Sequence, residues 1–252
     1  MPANYARFLI GRERTRSADR QLGCVLAFVA GAINAGGFLA VHQYTSHVTG
    51  MLSALADNLA LGHFALVVDG IVAVLAFLSG AMFSAMLVNL ARKRGMASAY
   101  AMPLLIEAAL ILVFGLLGSR LSANETFLVP FTVVLLCFIM GLQNAVITKI
   151  SNSVIRTTHM TGVVTDLGIE LGKLAYWNRQ PDPQLDVRAD RDRLRVLSAL
   201  LFSFLLGAVS GAFGFKLVGY LSTLPMAVLL ALVALVPALD DVVRKRHAGS
   251  QD

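Results

Sequence analysis

The chain has 252 residues, of which 57% are hydrophobic and 14% charged, with a mean hydropathy of +0.72. A soluble domain carries roughly 25% charged residues, so the composition excludes an ordinary soluble protein and points to an integral membrane protein. The formal net charge of +6 is not a nucleic-acid footprint, because the basic residues lie between apolar runs, where membrane orientation demands them.

Five arginines, Arg7, Arg12, Arg14, Arg16 and Arg20, precede the first apolar run. With Ala30-Gly31-Ala32 they imitate a cleaved signal peptide, but cleavage there would remove a motif that recurs deep in the chain. Apolar segments follow at 22–41, 48–61, 64–90, 100–118, 127–148, 160–174, 194–220 and 224–239. Six of them reach or approach the roughly 20 residues that cross a bilayer. The second and sixth, about 14–15 residues each, are in the range of re-entrant or half-length helices. Residues 175–193, with Pro181 and Pro183, read as a loop between spans, with Tyr176 and Trp177 at the interface. Residues from Arg244 onward read as a solvated tail. Cys24 and Cys137 lie in unrelated apolar runs and read as core thiols rather than as a disulfide or metal pair.

One polar pattern occurs twice. Gly31, Asn34 and Ala35 are followed by Ser46, His47, Thr49 and Gly50, and Gly141, Asn144 and Ala145 by Thr158, His159, Thr161 and Gly162. Asparagine and histidine are 13 residues apart in the first copy and 15 in the second, so the linking turns differ. A weaker echo joins 77–81 (FLSGA) to 204–208 (FLLGA). The chain therefore reads as one membrane domain over 1–252 built from two internal repeats, about 22–118 and 127–239.

Arginine and lysine set the orientation. With six spans and two non-crossing short segments, 19 of the 21 basic residues fall on one side, leaving Arg120 and Lys216 opposite. Eight spans would place Arg92, Lys93 and Arg94 outside, against the positive-inside bias. The six-span reading puts both termini in the cytoplasm and gives each half three spans. An odd number inverts the second half relative to the first. The expected fold is thus all-α and polytopic, with six transmembrane helices, two short helices and two inverted repeats.

The motif residues suggest a polar site near the membrane midplane. Gly36-Gly37 and residues 42–45 are expected to weaken the first helix, and Asn34 and Asn144 to stitch the breaks. Ser46 and Thr158 are expected to cap the short helices, whose positive ends would favour an anion or neutral polar solute. His47 and His159 change charge near neutral pH and read either as solute or proton contacts or as braces of the bend. Thr49 and Thr161 complete the candidate pathway. Among the acids, Glu107 stands mid-span with at least eleven uncharged residues on either side, a functional candidate by default. Asp57 and Asp166 on the short segments are further proton-coupling candidates, whereas Glu170 can pair with Lys173 one helical turn on.

The segments GAINA (31–35), YTSHVTG (44–50), GLQNA (141–145) and RTTHMTG (156–162) resemble the YoaK-like family of bacterial inner-membrane proteins. The resemblance covers about residues 20 to 245. It implies a multi-pass bacterial membrane protein of a family whose function is undefined, so it bears on location and fold and supplies no catalytic residues.

Three functions compete. A small transporter or channel for a solute or ion fits inverted duplication with polar groups inside the membrane. A non-catalytic regulator or assembly partner would dock through residues 175–193. An intramembrane enzyme lacks support from any H-E-x-x-H, C-x-x-C or nucleophile motif. The expectation is a non-enzyme without cofactors, partnered by the lipid bilayer, a small solute or ion and a second copy of itself in a homo-oligomer.

Overall fold

The computed structural model describes residues 2–10, 15–96, 98–118, 125–151, 158–176 and 187–248. Arg120, residues 152–157 before the second motif and residues 177–186 of the expected docking loop lie outside them. Nine α-helices and one 3-10 turn make up the described residues, and no strand occurs among them. They are α1 (Pro2–Ile10), α2 (Arg16–Val41), α3 (Val48–Ala60), α4 (Phe64–Lys93), α5 (Ala101–Gly118), α6 (Glu125–Ile150), α7 (Met160–Ala175), α8 (Arg191–Val218) and α9 (Thr223–Ala248), with the turn at Gly219–Ser222.

Local chemistry sets the ends. Thr15 caps α2, its hydroxyl accepting the Ala18 N–H at 3.1 Å. Asp190 caps α8 by accepting from the Asp192 and Arg193 N–H groups. α2 ends at His42, which takes the left-handed conformation (φ 55°). Gly219 (φ 65°) ends α8, a backbone angle that favours glycine. Without that break, residues 191–241 would form one apolar stretch of 51 residues. At 1.5 Å per residue that is about 76 Å, over twice the roughly 30 Å of a bilayer core, so α8 and α9 are two crossings. With α2, α4, α5 and α6 they make six helices of spanning character, and the chain is a multi-pass all-α membrane protein. α3 and α7, 13 and 16 residues long, pack chiefly on α4 and α8.

Two observations correct the sequence expectations. Gly36 and Gly37 do not weaken α2, which runs unbroken to Val41. They are seats for side chains, since a Cβ on Gly36 would stand 2.3 Å from the Phe215 ring and one on Gly37 3.0 Å from Leu136. The C-terminal tail is helical to Ala248, continuing α9, and the first residues form α1, which packs on α9 and buries Ala6, Leu9 and Ile10.

The core is made by pairing each motif-bearing long helix with a helix from the other half of the chain. α2 lies along α8, and α6 lies along α4. Each pair runs parallel. Phe28 meets Gly207, Ala32 meets Gly211 and Gly36 meets Phe215, four residues on each time. In the other pair Gly141 meets Phe77 and Lys149 meets Ala85, eight residues on. The close contacts correspond. A Cβ on Gly31 would stand 2.1 Å from the Phe204 carbonyl oxygen, and one on Gly141 1.9 Å from that of Phe77. Likewise a Cβ on Gly207 would stand 1.9 Å from the Phe28 carbonyl oxygen, and one on Gly80 2.1 Å from that of Phe138. Glycine lets these backbones touch, the usual device of helix packing in lipid. α5 and α9 pair antiparallel, Gly115 beside Thr223 and Ser98 beside Asp241.

Candidate functional site

Both motif copies build the same local joint. After α2 the chain turns through residues 42–47, and the Ser46 hydroxyl donates to Asn34 Oδ1 at 2.8 Å. After α6 the Thr158 hydroxyl donates to Asn144 Oδ1 at 2.7 Å. Asn144 also donates from Nδ2 to the Met140 carbonyl one turn back, at 2.9 Å. Each asparagine thus ties the start of the short helix to the long helix before it. Asn34 and Ser46 are buried, and Asn144 and Thr158 are half-buried.

The expected capping role goes to other residues. His47 and His159 occupy the N-cap positions of α3 and α7, and neither makes a side-chain cap hydrogen bond. Ser46 and Thr158 stand one residue too early, and their hydroxyls are taken by the asparagines. The first N–H groups of both short helices therefore keep their partial positive charge without a side-chain acceptor. His47, Thr49, His159 and Thr161 are exposed on the bundle's periphery. In the first copy Tyr44 stacks on Phe38 (centroids 4.5 Å apart) and approaches His47 (5.9 Å).

The two joints lie at different levels. α2 and α6 touch where Gln143 Nε2 donates to the Leu26 carbonyl at 3.3 Å. Gln143 adjoins Asn144, whereas Asn34 is eight residues beyond Leu26, about 12 Å along the helix. No hydrogen bond joins the two motifs among the described residues.

The remaining candidates separate. Asp57 is exposed on α3. Asp166 on α7 pairs with Arg193 of α8 at 2.9 Å. Glu170 pairs with Lys173 at 3.0 Å, as its spacing suggests, and accepts the Asp190 N–H at 2.9 Å. Lys173 and that N–H hold the Glu170 carboxyl below the usual carboxylate range. Glu107 is fully buried on α5. Sequence reading passes over Gln143, also fully buried. Its signal is a comparison between the copies: GLQNA has glutamine where GAINA has Ile33.

Polar contacts gather at one end of the bundle. Arg7 pairs with Asp240, the Ser98 N–H donates to Asp241, Arg92 donates to the Tyr100 hydroxyl, and Lys149 donates to Asn89. No group of three or more His, Cys, Asp or Glu side chains that could hold a metal ion occurs among the described residues.

Comparison with known proteins agrees with this architecture. The chain is 25% identical over 181 residues to the UPF0700 transmembrane protein YoaK of Bacillus subtilis (strain 168), covering 71% of this chain and 76% of the relative. No solved structure matches it. The family model described as "Protein of unknown function (DUF1275)" matches residues 22–236, and the chain belongs to that family.

Proposed function

We propose that the chain is a small bacterial inner-membrane transporter or channel, not an enzyme, whose two halves are inverted repeats. Its pathway for a small solute or ion passes the two joints, with Asn34, Ser46, His47 and Thr49 serving one and Asn144, Thr158, His159 and Thr161 the other. The observation that carries this reading is the pair of matched asparagine–hydroxyl hydrogen bonds, 2.8 and 2.7 Å. Each sits beside a short helix whose positive end has no side-chain acceptor. Two such ends offset along the membrane normal suit a passing anion or polar solute. The cluster of Arg7, Arg92 and Lys149 contacts at one end supports a cytoplasmic position for that end and for both termini.

One observation favours a regulator or assembly partner instead. His47, Thr49, His159 and Thr161 face outward, where a second membrane protein could reach them. Single cysteines separate the two. In a background lacking Cys24 and Cys137, Thr49→Cys and Thr161→Cys are treated with a small membrane-impermeant thiol reagent from each face of sealed vesicles. Transport predicts labelling of the first from one face and of the second from the other, with the purified protein alone. Labelling of neither, in folded protein, would overturn the pathway and favour the partner.

A further inference from the structure

Glu107 belongs to neither joint. It lies on the buried face of α5 with Leu104, Ala108 and Ile111, and neither of its carboxylate oxygens has a hydrogen-bond partner among the described residues. Gln143 of α6 is its polar neighbour. That amide is committed on one side, since Nε2 donates to the Leu26 carbonyl of α2 at 3.3 Å, while Oε1 accepts from nothing. Turning the amide over would set Oε1 against the Leu26 carbonyl, acceptor on acceptor. Both carboxylate oxygens and the amide oxygen are thus buried without a hydrogen-bond donor among the described residues.

Among the described residues, no basic side chain pairs with Glu107. The elements packed on α5 are α4, α6, α9 and the 219–222 turn. From α6, Lys149 is held by Asn89 and the Ala85 carbonyl, and Cys137 lies in a separate apolar cluster with Met51 and Ala73. From α4, Arg92 reaches the Tyr100 hydroxyl, and Asp69 and Lys93 are exposed. From α9, Asp240 pairs with Arg7 and Asp241 accepts from Ser98. Tyr220 of the turn packs on Phe114. Tyr100, which receives Arg92, is seven residues before Glu107, about 10 Å along the helix. An isolated carboxylate in such surroundings costs several kcal/mol, and a proton removes that cost.

We propose that Glu107 is a proton-binding site: as a carboxylic acid it donates to Gln143 Oε1, completing a chain Glu107–Gln143–Leu26 across α5, α6 and α2. A metal cation fits less well. Hard cations gather about six oxygens, and here one carboxyl and one amide oxygen are available. The pair also breaks the correspondence between the two copies, for Ile33 stands where Gln143 does. The packing shared by both copies therefore does not require it. Its use as a coupling proton rests on the transport reading, whereas proton binding does not.

Infrared spectroscopy of the full chain in lipid membranes at neutral pH and without added metal tests the site. The native protein is expected to show a protonated-carboxyl C=O band that shifts in deuterium oxide. Glu107→Gln is expected to lose it, and Gln143→Leu to move it to higher frequency as the acceptor disappears. A native spectrum without the band, a band surviving in Glu107→Gln, or one unmoved in Gln143→Leu overturns the proposal. A band abolished by sodium ions would also overturn it, in favour of a cation site. Should Glu107→Gln fail to fold, the native and Gln143→Leu spectra decide alone. A band as expected in vesicles that show no proton-coupled flux leaves the site standing and removes its transport role.

Discussion

Asn34 and Asn144 carry the same duty in unequal surroundings, and this sets the expected cost of breaking each joint. Ser46→Ala leaves the buried Asn34 Oδ1 without the donor it has at 2.8 Å. An orphaned buried acceptor costs about 1–3 kcal/mol, and membrane proteins fall toward the low end because their unfolded chains also find partners. Ser46→Ala is therefore expected to lose about 1–2 kcal/mol. Thr158→Ala is expected to lose about 0.5–1 kcal/mol, since Asn144 is only half-buried and keeps its Met140 bond. Thr158→Ser, which keeps the hydroxyl, is expected to restore it. Reversible unfolding in mixed micelles measures all three, and equal losses at the two joints would contradict the burial argument.

The α7–α8 hairpin shows how charge fixes an element that has little buried surface. α7 buries only Val163 and Glu170, so its position depends on Asp166–Arg193 and on Glu170 accepting the Asp190 N–H. Asp190 in turn caps α8, and the Arg193 N–H it accepts holds its carboxyl below the usual range. Both Glu170 and Asp190 are depressed on folding, so their stabilisation is complete above the ordinary carboxylate pKa of about 4. It is lost as pH falls through the lower folded values. Hydrogen exchange at the Asp190–Arg193 amides should quicken below about pH 4, while the α5–α9 interface keeps its protection. A hairpin insensitive to acid would show that packing, not these carboxylates, positions α7. Sequence alone places α3 to α8 to within a few residues, because apolar runs admit few boundaries, but it stops α9 at 239, where the apolar run ends and the helix does not. It also placed Lys173 with Glu170, a contact fixed by helical spacing. The Asp166–Arg193 pair was not legible, since it joins two helices whose crossing depends on tertiary packing. α1 was hidden for a related reason: a run of arginines masks an apolar stripe that has meaning only once α9 is there to cover it.

At the scale of the molecule, each half is incomplete without the other, because α2 finds its groove on α8 and α6 finds its groove on α4. The repeated glycines announce close packing in the sequence, but not which helix they pack against. The nearest candidates along the chain would be their own neighbours. Exchange puts backbone against backbone at Gly31, Gly80, Gly141 and Gly207, and no flexible side chain is there to yield. Alanine at Gly141 or Gly207 would place a methyl 1.9 Å from a carbonyl oxygen, so the paired helices must separate. Overpacking of this kind costs about 1–3 kcal/mol, occasionally more. Gly168 and Gly172 on α7 have nothing within 4 Å of a built Cβ, and alanine there gains helix propensity of up to about 1 kcal/mol. The expected pattern is therefore opposite in sign: Gly141→Ala and Gly207→Ala destabilise by similar amounts, and Gly168→Ala leaves stability unchanged or raises it. Unfolding midpoints in one detergent decide between them. If all these substitutions were neutral, the exchanged helix pairs would not be the contacts that hold the two halves together.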